Sequence, residues 1–233
     1  MKIMTPQEAW ENAAELIKKY FEKENPKGYE ILMRIHNENK GAMLEFPAAI
    51  KHHHNFHGGY IVHVNEVMMA VDALLEGGFD MGMVPPGKVM LAAYLHDFDK
   101  LERYERLPHE DPSEKQIEVA KKNGIEIEDG ESKRSLSIKI GNKFDGTSNP
   151  IEHFRYRQNN GHGFDETAKV QQMLVKYGLP LPDEVLHAVT MHHGGYAVHA
   201  DEFYMNMSPM AVILNMADMA SSKIWSERAK NKK

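Results

Sequence analysis

The stretch Tyr94-Leu95-His96-Asp97-Phe98-Asp99-Lys100 follows an apolar run, Val89-Met90-Leu91-Ala92-Ala93, that reads as the inner face of a buried helix. A histidine and an aspartate side by side at the end of such a helix need a reason, because burying an ionised carboxylate without a partner is costly. A divalent metal supplies that partner, and neutral imidazole with carboxylate is a common ligand set. His63, the His192-His193 pair and Asp218 interrupt other apolar helical stretches in the same way. A lone buried histidine usually just makes hydrogen bonds, and a lone aspartate can be a cap partner or half of a salt bridge. Six such residues on four helices fit the way helical bundles build metal sites from inward side chains. The chain has no cysteine, so any metal must sit on His, Asp or Glu. A metal held in this way lowers the pKa of bound water from ~15.7 towards ~7 and polarises a phosphoryl oxygen, so no protein nucleophile is required.

The elements that must position these residues are mostly helical. Thr5-Pro6-Gln7-Glu8 is a capping box with proline at the first helical position, and Ala13, Leu16, Ile17 and Tyr20 form one apolar face. A second helix is expected over 29–37. Gly58-Gly59 allows a tight turn and a close approach of backbone, after which 60–75 reads as a long helix with Ile61, Val64, Met68 and Val71 as its stripe and His63 in its first turn. The spacing predicts further helices over 88–95, from Ser113-Glu114-Lys115-Gln116 to Asn123-Gly124, from Phe164 to Gly178, over 182–191 and from Ser208-Pro209 onward. Ile125 and Ile127 alternate with acids and Leu136, Ile138 and Ile140 with polar residues, around Asp129-Gly130. That pattern predicts a β-hairpin there. The fold class is therefore all-α, a helical bundle with a small β-hairpin insertion.

At 233 residues, one domain over 1–225 is expected, with an insertion at about 105–160 and a basic tail over 226–233. Hydrophobic content of 42% and charged content of 27% are ordinary for a soluble globular protein. The formal net charge of −6, without a long basic stripe, argues against a large duplex DNA footprint. There is no apolar core of a signal peptide over 1–10 and no run of ~20 apolar residues. A cytoplasmic protein that does not enter membranes is the expectation, and the 16 methionines would allow helix-helix association into a homo-oligomer.

The order His63 … His96-Asp97 … Asp218 resembles the defining motif of the HD-domain superfamily of metal-dependent phosphohydrolases. Pro47-Ala48-Ala49, His53-His54 and Gly58-Gly59-Tyr60-Ile61-Val62-His63 are similar to the HD domains of bacterial 3′-5′ exoribonucleases. His96-Asp97-Phe98-Asp99-Lys100 resembles the HD-x-x-K form, with Asp99 where many members carry Gly. Gly161-His162, and a His-His pair after Gly178-Leu179-Pro180, resemble the second-metal part, with Gly163 where Glu is common. The resemblance implies an HD-type bundle in which His63, His96, Asp97 and Asp218 bind one divalent metal (Mn, Fe, Co or Ni). It further implies that Asp97 bridges to a second metal held by His162 and by His192, His193 or both. His96, Asp97 and Lys100 are then the residues expected to carry catalysis.

Lys100 either neutralises a substrate phosphate or is a surface lysine after a helix end. His53, His54 and His57 either line the substrate entrance or are solvated turn residues. Arg134, Arg155, Tyr156 and Arg157 in the insertion offer guanidinium forks for phosphate and a ring for base stacking. The expected activity is hydrolysis of a phosphate ester or anhydride of a (deoxy)nucleotide. The alternatives are a 3′-5′ exoribonuclease acting on short single-stranded nucleic acid, a cyclic-nucleotide phosphodiesterase, a di-iron oxygenase, and a non-catalytic module that keeps the fold.

Overall fold

A computed structural model describes residues 4–50, 53–145, 154–156, 166–193 and 206–225. The architecture is helical with one short antiparallel ladder. Helix α1 (Pro6–Phe21) starts on the capping box expected for it, with Thr5 and Glu8 each bonding the other's backbone. Asn25 caps α2 (Pro26–Glu38), which begins three residues before the expected start because Pro26 takes the first helical position. A short α3 (Lys40–Glu45) leads to the histidine-rich loop. Then come α4 (Gly59–Glu76) and α5 (Pro86–Leu95). Both are apolar nearly all round, which suits helices enclosed by others. Helix α4 lies at the centre, packed on α1, α3, α5 and the C-terminal α11 (Pro209–Met219). Helix α10 (Asp183–Met191) packs on α5, α11 and α9 (Glu166–Val175). Among the described residues, no helix is long and apolar enough to cross a membrane.

The insertion departs from the expected hairpin. After a short turn α6 (Lys100–Arg103), strand β1 (Tyr104–Arg106) pairs antiparallel with β2 (Phe154–Tyr156), Glu105 opposite Arg155. This ladder closes the base of the insertion. Within it, α7 (Glu114–Lys122) opens on its Ser113/Gln116 capping box as expected. The alternating run that read as the hairpin's second strand is instead part of α8 (Lys133–Asp145). The Ser132 hydroxyl accepts from the Ser135 amide, and Lys139 bonds both Glu131 and Glu128. Ser135 and Lys139, four apart on α8 and so neighbours on its surface, both donate to Glu131 just before the helix starts. Helices α7 and α8 pack on each other, and none of their described side chains belongs to the main core cluster.

One buried histidine is purely structural. His36 donates from Nε2 to the Trp10 carbonyl at 3.0 Å and accepts from the Tyr94 hydroxyl at Nδ1, 3.1 Å away. Its ring stacks on Trp10 at 4.6 Å. Burial lowers its pKa from 6.5 to about 4, with the Trp10 carbonyl opposing and the Lys40 charge adding to the fall. At neutral pH both folded and unfolded chains hold it uncharged. Below pH 6.5 the unfolded chain takes up a proton that the folded one refuses. Stability therefore falls between about 6.5 and about 4 and then levels, by about 3 kcal/mol in all. Urea unfolding at pH 7 and pH 4 is expected to show a loss smaller by about that amount in His36→Gln; equal losses would remove His36 as the source.

Candidate metal centre

Helices α5 and α10 end alike. The residue after each is a histidine whose Nδ1–H donates back to the carbonyl three residues earlier, His96 to Ala93 at 2.8 Å and His192 to Val189. A carbonyl can only accept, so both rings carry their proton on Nδ1 and present the Nε2 lone pair. His63 reaches the same state by another route. Its Nδ1 lies 2.9 Å from the Ser221 hydroxyl, whose own hydrogen goes to Glu66 Oε2 at 2.7 Å. The hydroxyl oxygen must then accept from His63 Nδ1–H.

The three Nε2 atoms converge on carboxylates. His63 Nε2 and His96 Nε2 stand 3.2 Å apart, each 3.4 Å from Asp97 Oδ2. Asp218 Oδ1 is 3.2 Å from His63 Nε2. His192 Nε2 is 3.8 Å from the other Asp97 oxygen, Oδ1. It is buried and has no hydrogen-bond partner among the described residues. His63, His96, Asp97 and His192 are each at most 2% exposed. Lone pairs facing one another and carboxylates in a dry interior are unfavourable unless a proton or a metal cation lies among them. The donor set fits a divalent cation in number, type and protonation, with rings oriented as metal ligands are oriented by their outer partners.

The electrostatics point the same way. Burial works against the Asp97 carboxylate, but Lys100, His96 and His63 outweigh it and hold its pKa well below the usual carboxylate range. Burial is likewise outweighed at Asp218, chiefly by His63. Burial disfavours the His63 imidazolium, yet Asp218 and Asp97 raise its pKa to about 9. These carboxylates favour a positive charge at His63 Nε2, be it a proton or a metal. Around His192, burial with His193 and His96 nearby lowers the pKa to about 3, which keeps its Nε2 lone pair available at neutral pH.

Comparison with protein-family models, curated proteins and solved structures gave no match. The chemistry of the centre is therefore read from its own residues. The described residues form three groups with ligand atoms within 4.8 Å of one another: His63-His96-Asp97, Asp97-His192-His193 and His53-His54-His63. Asp97 is shared by the first two, Oδ2 facing His63 and His96 and Oδ1 facing His192.

Of the other expected site residues, Lys100 is not a surface lysine. It is 8% exposed, with Nζ 2.5 Å from Asp97 Oδ2. His54 is buried and His53 half-buried, so neither is a solvated turn residue, and the His53 ring centroid lies 4.6 Å from that of His63. His57 sits edge-on to Phe154 of β2 and lines an open cleft of about 290 Å³ with Arg106, His109, Glu128, Glu131 and Ser135. Arg155 and Tyr156 enter as backbone of β2; their side chains, the Arg134 side chain, and the whole of Arg157 and His162 lie outside the described residues. Glu66, Ser221 and Asn215, which donates to the His192 carbonyl at 2.7 Å, belong to the site's surroundings and were not expected from the sequence. The only available signal was spacing: Glu66 follows His63 by three residues, and Ser221 follows Asp218 by three.

Proposed function

We propose that this chain is a metal-dependent phosphohydrolase of the HD-domain type that cleaves a phosphate ester or anhydride of a (deoxy)nucleotide. The observation that carries the reading is the convergence of three buried imidazole Nε2 atoms on Asp97, with the His192 nitrogen left unpartnered. His63, His96, Asp97 and Asp218 would hold one cation. Asp97 with His192 and His193 would hold a second, and His162 would join them. A divalent cation (Mn, Fe, Co or Ni) would supply an activated water and a Lewis acid for the phosphoryl oxygen. Lys100 brings an ammonium to the edge of this cluster, where it can neutralise a phosphoryl oxygen while remaining close to Asp97. His53, His54 and His57 would line the substrate entrance. The cleft beside His57 lies on the insertion, the part of the chain that would choose the substrate.

The test is product analysis on ribo- and deoxynucleoside mono- and triphosphates with Mn²⁺ or Co²⁺, wild type beside Asp97→Ala. Phosphate or triphosphate released by the wild type alone supports the reading. Cleavage confined to short oligonucleotides or cyclic nucleotides would move it to the nuclease or phosphodiesterase class. The two oxygens of Asp97, one facing His63 and His96 and the other His192, also suit a di-iron oxygenase, and oxygen uptake without phosphate release would favour that reading instead.

A further inference from the structure

We propose that Glu66 is a positioning residue of the metal centre, one carboxylate oxygen that fixes the tautomers of His63, His54 and His53 together; this rests on the metal-centre reading above. Glu66 Oε2 takes two donors. The Ser221 hydroxyl reaches it at 2.7 Å and His54 Nε2 at 3.0 Å. A carboxylate only accepts, so both partners must donate.

Two chains of consequence run from that oxygen. Through Ser221, the His63 Nδ1 must carry the proton, which leaves Nε2 as a ligand towards His96, Asp97 and Asp218. Through His54, the proton sits on Nε2, so the His54 Nδ1 is an acceptor and takes the Nδ1–H of His53 at 3.1 Å. Glu66 therefore ties a buried ligand of the centre, His63, to the histidine loop before α4.

The backbone is built to make both ends meet. Beyond α11 the chain widens into a π-helical segment, Ala220–Trp225, a form often found at functional sites. Asp218 and Ser221 then face opposite nitrogens of one ring, Asp218 at Nε2 and Ser221, as acceptor, at Nδ1. At the other end His54 adopts φ +49°, a left-handed conformation that costs a non-glycine residue stability and that persists where the surroundings impose it. That conformation delivers a buried His54 ring to Glu66.

The experiment measures Zn²⁺ affinity by calorimetry, and the His63 ring state by long-range ¹H–¹⁵N correlation, in wild type, Ser221→Ala, Glu66→Gln and the double variant. The small Ser221→Ala change and the isosteric Glu66→Gln keep the fold accessible to test. Each single variant is expected to weaken Zn²⁺ binding by about tenfold or more, the size typical for loss of a ligand's outer partner. The double variant should be no weaker than the worse single, because the two act in series. The His63 Nδ1–H signal, sharp in the wild type, should broaden in both variants. Affinities within twofold of wild type, or a sharp Nδ1–H signal in both variants, would overturn the proposal while leaving the metal centre standing. A wild type that takes up no Zn²⁺ would overturn both.

Discussion

On the phosphohydrolase reading proposed above, Asp97→Ala is expected to empty the centre of metal and to lower phosphate release by roughly a thousandfold or more. The size follows from what the carboxylate does. It faces His63 and His96 with one oxygen and His192 with the other, so its removal breaks both groups that share it. Lewis-acid stabilisation of a phosphoryl transition state is worth several kcal/mol, and every ~1.4 kcal/mol is tenfold in rate. The same substitution strips the counter-charge from Lys100, whose Nζ is 2.5 Å away and buried. Leaving one partner of a buried ion pair alone costs about 3–5 kcal/mol, so the melting temperature should fall as well. Asp97→Asn also removes the charge but keeps the volume and a hydrogen-bond acceptor for Lys100, so it should lose metal as Asp97→Ala does with a smaller fall in melting temperature. Metal content by elemental analysis, turnover and thermal melts on the three proteins form the test. A fully metallated, active Asp97→Ala protein would sink the assignment of this cluster as a metal centre.

The ligand cluster could be seen in the sequence because each member contradicts its local pattern. His63, His96, Asp97 and Asp218 stand where an apolar face should continue, and only a shared partner makes such positions tolerable together. Glu66 and Ser221 carry no contradiction. Glu66 reads as an ordinary helical glutamate, and Ser221-Ser222-Lys223 as the end of a helix, so their roles emerge only when α4 and the π-helical segment are brought side by side. His36 shows the converse: fully buried, it is satisfied by Trp10 and Tyr94 and has no part in the cluster. The error over 125–140 is one of period. Leu136, Ile138 and Ile140 alternate over a stretch too short to separate strand from helix. The Ser132 cap, with Ser135 and Lys139 both bonded to Glu131 just before the helix, favours the helix that forms.

Gly59→Ala is expected to have the largest effect on stability of any single-methyl change near the centre, about 3 kcal/mol, or roughly 10 °C in melting temperature. A Cβ at Gly59 would stand 1.9 Å from the His54 carbonyl oxygen and 2.8 Å from its carbon, both backbone atoms. Neither can rotate away, since the His54 carbonyl accepts from the Ala48 amide at 3.2 Å. Relief requires the 54–58 turn to move off the start of α4, and the His54 ring moves with it, away from Glu66. Zn²⁺ affinity should therefore fall along with stability. Gly58 closes the other side of the same turn: it lies at φ +74°, and a Cβ there would meet Pro6 side-chain carbon at 2.5 Å and the Leu44 carbonyl at 2.8 Å. The control is Gly41→Ala, in α3, where an added Cβ meets nothing within 4 Å. That change should stabilise by up to about 1 kcal/mol, the usual gain of alanine over glycine inside a helix. Opposite signs for the two variants, with metal affinity lost only in Gly59→Ala, would establish that the paired glycines exist to let the histidine loop lie against α4. A Gly59→Ala protein as stable as wild type would mean that the turn and α4 do not approach so closely.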